Sequence, residues 1–375
     1  VKIFFLILIM KIYIDNGKYF VPRNLTILQA YEYVNKTIPH FCYHERLLIA
    51  GNCRMCLVEI ENLEKPVAAC ATKISENMKI YTNTPMVQKV RENILEFLLI
   101  NHPLDCPICD QGGECDLQDL SMNYGSDRSR FFENKRGVSD KIFNPVIKSI
   151  MTRCIHCTRC VRFTSDVIDN GFLGVVGRGS STEISSYTNV IFNNELSGNI
   201  IDLCPVGALT SKLYAFKSRS WELRVIKSVD IFDSMVVPVK VYFKNTEILR
   251  IFPSKTFEIN NVWISDRVRF CYDGINIQRI NIPLIKKGNQ FVKSSWKQCF
   301  LFIQKNILKG SITGIFGDHV NLNDLYFFKK FLNALGSSNL ILNSSSSLIT
   351  ADFTNSYKLN TSINKYKYSD LILLV

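Results

Sequence analysis

The sequence predicts a multidomain protein with an α+β amino-terminal part followed by an incomplete α/β domain. Its 375 residues are enough for several domains. Short β-like runs and one helical segment fill the first 80 residues, which indicates a small α+β fold. Cysteines with close C-x-x-C spacing follow, and near the end strand-like and helical segments alternate, as in a parallel doubly wound sheet.

The first 80 residues contain recognisable strand, turn and helix signals. Lys11–Ile14 and Leu57–Ile60 are expected to be strands, and the turn residues Asp15, Asn16 and Gly17 predict a hairpin after the first of them. Leu25–Val34 has the pattern of a helix, and Asn24 is a suitable N-cap residue.

The rest of the chain adds a long helix and, later, strands and a further helix. A helix is expected over residues 86–100, strands within 225–252, and a strand, helix and strand over 312–316, 322–335 and 340–342. Residues 344–347 are expected to form a loop, and the apolar residues 371–375 another strand. A final buried strand without a covering helix indicates an incomplete domain.

Charge and hydropathy exclude two functional classes, a nucleic-acid-binding protein and a protein whose apolar run at 3–10 spans a membrane. The net charge is +12, but the basic residues are dispersed and no nucleic-acid reader motif is present, so no nucleic acid is expected as a partner. The apolar run Ile3–Met10 is far shorter than the roughly 20 residues that cross a bilayer. It is expected to be a buried strand that continues into Lys11–Ile14.

The first cysteine group has the spacing of an iron–sulfur site. It consists of Cys42, Cys53, Cys56 and Cys70, a C-x2-C pair with two remote partners. A 2Fe–2S cluster needs four thiolates, and plant-type ferredoxins supply them as C-x4-C-x2-C with a distant fourth. Here the first gap is ten residues. Gly51 is expected to let the backbone approach the sulfurs, and a zinc site is the alternative.

The second group combines a histidine with three cysteines. His102, Cys106, Cys109 and Cys115 follow the pattern H-x3-C-x2-C-x5-C, and a Gly-Gly pair at 112–113 allows a tight turn before the last cysteine. Three thiolates leave a 4Fe–4S cluster one ligand short, and the histidine lies close enough in sequence to supply it. Zinc bound by three cysteines and one histidine is the alternative.

The third group is the most specific motif. Cys154, Cys157 and Cys160 form C-x2-C-x2-C, and Cys204, followed by proline, is the expected fourth ligand of a 4Fe–4S cluster. His156, inside the motif, is not expected to be a ligand. Cys271 and Cys299 have no C-x2-C partners and are expected to be buried apolar residues.

Together these motifs resemble the large iron–sulfur subunit of respiratory NADH:ubiquinone oxidoreductase, complex I. The resemblance is carried by Ile38–Glu59, His102–Gln118, Arg153–Phe163, Cys204–Thr210, Trp221–Arg224 and Trp263–Gly274. It runs from about Lys11 to the end of the chain.

The resemblance implies four domains. They are a β-grasp 2Fe–2S ferredoxin-like domain at 1–83, a domain at 84–123 whose 4Fe–4S cluster is bound by one histidine and three cysteines, a ferredoxin-type 4Fe–4S domain at 124–219 and an incomplete molybdopterin-oxidoreductase-like domain at 220–375. It also implies one 2Fe–2S and two 4Fe–4S clusters and no molybdenum. Some bacterial members hold a further cluster after the Trp221–Arg224 region, but residues 225–270 contain no cysteine, so that cluster is expected to be absent.

The implied role is electron relay from the flavin subunit toward ubiquinone, with no substrate site in this chain. Partners would be the flavin-binding and other iron–sulfur subunits of complex I, and membrane association would come only through partner subunits. The implied location is the matrix side of the mitochondrial inner membrane, or alternatively the cytoplasmic face of a bacterial membrane.

Three rival functions remain open from the sequence. The iron–sulfur part of an NAD-linked formate dehydrogenase and the diaphorase module of a hydrogenase have related cluster motifs. A zinc-structured interaction protein would use the same cysteines without redox chemistry.

Overall fold

The computed structural model describes residues 9–186, 191–232, 237–254, 262–277, 279–307, 312–317 and 320–342. The chain forms two compact units. The first comprises Val1–Ile226, Tyr242–Phe252 and Val262–Arg269, and the second comprises Lys227–Val241, Pro253–Asn261 and Phe270–Val375. The expectations for residues 3–8, 344–347 and 371–375 lie outside the described residues.

A mixed five-stranded sheet with one covering helix forms the amino-terminal region. Its elements are β1 (Ile9–Ile14), β2 (Gly17–Pro22), α1 (Ile27–Tyr33), β3 (Leu57–Ile60), β4 (Val67–Ala68) and β5 (Lys79–Tyr81). The strand order is β2-β1-β5-β3-β4, with β1 antiparallel to β2 and parallel to β5. Alternate residues of β1, among them Ile12 and Ile14, are buried against α1 residues such as Leu28.

The predicted hairpin is confirmed, but the predicted helix cap is wrong. Asp15 and Asn16 have φ of 47° and 71°, and a two-residue hairpin turn of type I′ needs a positive φ at both positions. The N-cap of α1 is Thr26, whose side chain and that of Gln29 form a capping box. Asn24 instead adopts a left-handed φ of 71° two residues earlier, where the short Asn side chain is tolerated.

The predicted long helix is confirmed as α2 (Pro85–Asn101), with Thr84 as its N-cap and proline at its first position. A 3-10 turn, Cys106–Ile108, and α3 (Asp116–Tyr124) follow. The buried Arg91 of α2 lies over the ring of Tyr124, with its guanidinium carbon 5.2 Å from the ring centroid. This contact joins the two helices that flank the second cysteine group.

Short elements surround the third cysteine group. They are β6 (Ile147–Ser149), a 3-10 turn (Met151–Arg153), α4 (Arg159–Asp166), β7 (Leu173–Val176), a 3-10 turn (Gly179–Ser181), β8 (Glu183–Ser186), α5 (Asn199–Leu203) and β9 (Leu209–Ser211). β6 pairs with β9 and β7 pairs with β8, both antiparallel. The β6–β9 pairing brings the segments before Cys154 and after Cys204 side by side.

Strands follow the motifs, as the sequence predicts. After a 3-10 turn, Ser220–Glu222, a three-stranded sheet has the order β10 (Arg224–Val229), β11 (Pro238–Lys244) and β12 (Glu247–Pro253). The helix α6 (Asp266–Phe270) begins where the carboxylate of Asp266 accepts hydrogen bonds from Ser197 and from the backbone N–H of Gly198.

The second unit contains the predicted strand–helix–strand order. Its later elements are α7 (Asp273–Asn276), β13 (Leu284–Lys287), β14 (Gln290–Lys293), α8 (Trp296–Asn306), β15 (Thr313–Phe316), α9 (Leu322–Ala334) and β16 (Asn339–Leu342). β15 and β16 are parallel. A crossover helix between parallel strands is the α/β unit that the sequence indicates.

Candidate iron–sulfur centres

The structure brings all four cysteines of the first group together. Cys56 directly precedes β3, and Cys70 follows β4, so the antiparallel pairing of these strands places the two thiols side by side. The thiol of Cys42 has hydrogen-bond contacts with those of Cys53 and Cys70, and Cys56 has one with Cys70. The backbone N–H of Cys42 also donates to Sγ of Cys53 at 3.3 Å.

The thiol contacts shift the pKa values in opposite directions. Hydrogen bonds from Cys53 and Cys70 lower the pKa of Cys42, whereas the same contacts raise the pKa of Cys53 and Cys70. The Cys70 contact lowers the pKa of Cys56 to about 7. A thiolate, the form that binds metal, is therefore already stabilised in this group.

Position 51 favours glycine because of its backbone conformation. The sequence suggests a different reason, namely close approach of the backbone to the sulfurs. The φ of Gly51 is +61°, and an added Cβ would contact only the Ala71 methyl group, at an ordinary 3.8 Å. A side chain at Gly51 would therefore be strained by the left-handed backbone and not by crowding.

The third group surrounds an apolar cavity of about 20 Å³. Cys154, Cys157, Cys160 and Cys204 all line it, together with residues that include Ile184, Val206 and Leu209. Cys154 follows a 3-10 turn, Cys160 lies in the first turn of α4 and Cys204 ends α5. In the loop between Cys154 and Cys160, His156 and Thr158 adopt the left-handed backbone conformation, with φ of 53° and 60°.

Burial dominates the protonation of the third group. It raises the pKa of Cys154 to about 12, that of Cys157 and Cys204 to about 11, and that of Cys160 well above its usual value. These thiols stay neutral near pH 7 unless a bound cation supplies the charge that stabilises thiolates. Four cysteines, one buried and three half-buried, at the wall of an apolar cavity provide the donor set that a 4Fe–4S cluster uses.

The second group is partly assembled. Cys109 and Cys115 are buried and interact electrostatically, whereas Cys106 is exposed. An added Cβ at Gly112 would lie 2.9 Å from the carbonyl oxygen of Cys106, and Gly113 has a φ of +91°. The tight turn expected at the glycine pair is therefore present.

His102 ends α2 and is neutral near pH 7. Burial, helped by the nearby cations Lys135 and Arg153, lowers its pKa to about 4. A neutral imidazole is the form that binds a metal. Across the described residues, the charged groups that shift this pKa are Lys135, Arg153 and Asp105, and no cysteine thiol is among them.

The described residues contain no three His, Cys, Asp or Glu side chains converging on a single metal-ion position. A tetrahedral zinc site needs all donors within about 2.0–2.3 Å of one point. The thiols of the first group are instead linked in one chain, Cys53 to Cys42, Cys42 to Cys70 and Cys70 to Cys56. Four thiols brought together in this way are the number that a 2Fe–2S cluster takes as ligands.

One hydrophobic core contains cysteines of all three groups. It consists of Phe41, Cys42, Met55, Leu95, Cys115, Leu117, Ile155, Cys157, Val206 and Ala208, with Cys53, Cys154 and Cys204 packed against it. Each candidate centre therefore contributes at least one cysteine to this core.

The third motif contacts both of the others. On one side, Asn52 Nδ2 donates to the carbonyl of His156 at 3.0 Å. On the other side, a Cβ on Gly207 would overlap Sγ of Cys109, and the thiol of Cys115 lies 3.7 Å from the carbonyl oxygen of Pro205. The third group lies between the first and the second.

Several arginines hold the cysteine loops, and no spacing pattern in the sequence indicates them. Arg219 donates to the carbonyls of Pro107 at 2.6 Å and Cys109 at 2.5 Å. Arg250 forms a two-pronged ion pair with Glu114 at 2.6 and 2.8 Å. These contacts join residues more than 100 positions apart, so only the fold brings them together.

The two remaining cysteines differ from expectation. Cys271 and Cys299 are half-buried, so the prediction that they are buried apolar residues is wrong. Cys299 lies on α8, whose neighbouring Phe300 and Leu301 are exposed.

No helix in the described part of the chain is long and apolar enough to cross a membrane.

Five family models match successive parts of the sequence, in the order that the sequence predicts. They describe a 2Fe–2S iron–sulfur cluster binding domain at residues 10–85, an NADH-ubiquinone oxidoreductase-G iron–sulfur binding region at 91–130, an NADH-quinone oxidoreductase subunit 3 ferredoxin-like domain at 144–210, an NDSU1/NuoG-like 4Fe–4S domain at 223–273 and a molybdopterin oxidoreductase at 279–375. The predicted fold class is confirmed.

Curated relatives match over nearly the whole chain. The NADH-ubiquinone oxidoreductase 75 kDa subunit of Reclinomonas americana is 52% identical over 98% of this chain. This chain is therefore similar to a complex I 75 kDa subunit along nearly its whole length. A mitochondrial iron–sulfur protein 1 of NADH dehydrogenase from Solanum tuberosum is 47% identical over 98% of the chain, and the 75 kDa subunit of Acanthamoeba castellanii is 49% identical over 96% of it.

The chain spans about half the length of these three relatives, since it covers 55%, 50% and 54% of them. A solved NAD+-reducing NiFe hydrogenase in its H2-reduced state is also similar, with a TM-score of 0.51 and 27% identity. That match covers 56% of this chain and 90% of the hydrogenase chain.

The match at 223–273 has a consequence for cluster content. It corresponds to a 4Fe–4S domain, yet this segment of the chain contains a single cysteine, Cys271. Four thiolates cannot come from this segment.

Proposed function

We propose that this chain is an electron-transfer subunit of NADH:ubiquinone oxidoreductase, relaying electrons from the flavin subunit toward ubiquinone. The observation that carries the proposal is the shared hydrophobic core that contains cysteines of all three groups. Bound iron–sulfur clusters supply one-electron redox chemistry, and the protein supplies their spacing, charge environment and protection from water.

Twelve side chains are proposed as ligands. Cys42, Cys53, Cys56 and Cys70 would hold a 2Fe–2S cluster; His102, Cys106, Cys109 and Cys115 a 4Fe–4S cluster; and Cys154, Cys157, Cys160 and Cys204 a second 4Fe–4S cluster. Support comes from the thiol contacts of the first group, the cavity of the third and the neutral imidazole of the second. For the second group, Cys106 and His102 would have to close on the buried pair.

Position suggests the order of transfer. The third group touches loops of both others, so we infer that electrons pass from the first group to the third and then to the second, or in reverse. The proposed order of electron transfer, with the third group in the middle, therefore differs from the order of the three groups along the sequence.

The remaining assignments concern what other chains provide. NADH oxidation and quinone reduction would belong to partner subunits, among them the flavin-binding and other iron–sulfur subunits. No molybdenum is proposed in the α/β domain. The proposed location is the matrix side of the mitochondrial inner membrane, or the corresponding cytoplasmic face in a bacterium, with membrane attachment through partners. The proposed domain limits remain 1–83, 84–123, 124–219 and 220–375.

A second candidate function is the diaphorase module of a hydrogenase, which the hydrogenase likeness favours. That likeness covers 56% of the chain, whereas the complex I relative from Reclinomonas americana matches 98% of it at higher identity. The complex I assignment therefore accounts for more of the chain.

The test is cluster content. Chain purified and reconstituted without oxygen is expected to contain about ten irons, because two, four and four atoms fill the proposed sites. Dithionite-reduced samples should give one binuclear and two tetranuclear EPR signals at low temperature. A His102→Cys variant should alter one tetranuclear signal only. Colourless protein that binds only zinc would refute the proposal.

A further inference from the structure

The guanidinium group of Arg162 bridges the loops of the first and third cysteine groups. Arg162 lies on α4, two residues after Cys160. Its Nη2 donates to the carbonyls of Cys42 and Cys157, the latter at 3.3 Å. Its Nη1 donates to the carbonyl of Leu48 at 2.5 Å. One cation thus contacts the backbone of proposed ligands of two different clusters.

Among the described residues, no carboxylate forms an ion pair with Arg162. Its neighbour Arg159, by contrast, has the carboxylate of Asp116 at 4.0 Å. Arg159 is buried and donates to the carbonyls of Tyr43 and Leu203. Arg162 is half-buried, so its charge is only partly screened by water.

A second, uncharged contact joins the same two loops. The side-chain amide of Asn52, next to Cys53, donates to the carbonyl of His156 at 3.0 Å. Two arginines therefore carry charge across these loops, Arg162 and the Asp116-paired Arg159, whereas the Asn52 contact carries none. Comparing the Arg162 and Asn52 contacts separates electrostatic effects from positional ones.

We propose that Arg162 is a positioning residue that holds the first and third loops together and raises the reduction potentials of both clusters at once. Reduction adds negative charge, which a nearby uncompensated cation stabilises. The contacts of Arg162 reach loops of the first and third groups, so the potential of the second cluster is expected to be independent of this residue. This inference rests on the proposed function, because it requires clusters at both loops.

The experiment is an EPR-monitored redox titration of the full reconstituted chain with Arg162→Gln, Arg162→Lys and Asn52→Ala. At a fixed potential, Arg162→Gln is expected to lower the reduced-to-oxidised ratio of the first and third clusters on the order of tenfold, about 59 mV for a one-electron couple. The second cluster is the internal control. Arg162→Lys keeps the charge and should stay near the wild-type potentials, as should Asn52→Ala.

The outcomes separate the two proposals. Wild-type chain without iron–sulfur signals refutes the proposed function before any variant is made. With clusters present, the inference is overturned if Arg162→Gln leaves both potentials unchanged, or if all three clusters shift together. If Arg162→Gln loses iron, Arg162→Lys decides: unchanged potentials support the inference, and a tenfold fall despite the retained charge overturns it.

Discussion

The first and third cysteine groups solve the same chemical problem in different ways. In the first group the thiols hydrogen-bond one another, and these contacts lower the pKa of Cys42. In the third group the thiols line an apolar cavity, and burial raises the pKa of all four, to about 12 for Cys154. The residue type is identical, so the environment decides how each site prepares for metal.

The difference indicates two routes to assembly. A site with a stabilised thiolate is ready for the first iron, whereas a site of neutral buried thiols must lose protons as the metal enters. The third site also has an apolar cavity at its centre, lined by side chains such as Ile184 and Leu209. Each prediction below probes one side of this contrast.

The largest effect is expected from removing a ligand of the third group. Cys204→Ala should alter or abolish one tetranuclear EPR signal and lower the iron content by one to about four atoms, because one iron of the cluster loses its protein ligand. The binuclear signal of the first group should remain. Iron analysis and EPR measure both results.

Cys299→Ala is the matched control, because Cys299 lies outside every motif, on α8. It should leave the iron content unchanged. Equal iron loss in Cys204→Ala and Cys299→Ala would mean that Cys204 has no specific role in the third site.

The pH dependence of reconstitution should differ between the two sites. Because burial raises the pKa of Cys157 and Cys204 to about 11, ligation displaces their protons and is favoured as pH rises. In the first group the raised pKa values of Cys53 and Cys70 also require proton release, but the lowered pKa of Cys42 and that of Cys56 at about 7 reduce the total near neutrality. Each additional proton steepens the dependence by up to about tenfold per pH unit.

The measurement is EPR-resolved occupancy of each cluster after anaerobic reconstitution between about pH 6.5 and pH 8.5. Occupancy of the third site should fall more steeply toward low pH than that of the first. Parallel curves for the two sites would contradict the assembly difference.

A smaller effect is expected from placing a hydroxyl in the third cavity. Val206→Thr preserves shape but buries a polar group, and should lower the free energy of unfolding by about 1–3 kcal/mol. Val176→Thr is the control, since Val176 is half exposed on β7 and its hydroxyl would reach water. Denaturant unfolding measures both variants, and equal losses would argue against a dry cavity.

The smallest effect is expected at Gly51. Gly51→Ala should cost about 1 kcal/mol, because its φ of +61° strains a side chain while the surrounding space accepts a methyl group. The first cluster should still assemble. Gly171→Ala, in open space without a positive φ, should cost less, as measured by denaturant unfolding. Loss of the binuclear signal in Gly51→Ala would show that the loop tolerates no strain.

Local sequence signals predicted the structural features that depend only on residues close together in the chain. The hairpin at Asp15–Asn16, the helix α2 and the cysteine spacings follow from turn chemistry, periodicity and ligand geometry over short distances. The cap at Thr26 was missed although its signal is local, because Thr26 with Gln29 three residues later has the capping-box spacing, whereas Asn24 has Ile27 at that position.

Long-range contacts could not be predicted in this way. The bridge from Arg162 to Cys42 spans 120 positions, and the pair Arg250–Glu114 spans 136. No periodicity or spacing connects such residues, and their partners are backbone carbonyls or single side chains that any arginine could contact. The placement of the third group between the other two likewise emerges only when the chain is folded.

The most direct test of the three-centre account is X-ray anomalous scattering at the iron absorption edge from crystals of the anaerobically reconstituted chain. The account predicts three separate iron positions, with the one at Cys154, Cys157, Cys160 and Cys204 between the other two. Fewer than three positions, or anomalous signal only at the zinc edge, would contradict it.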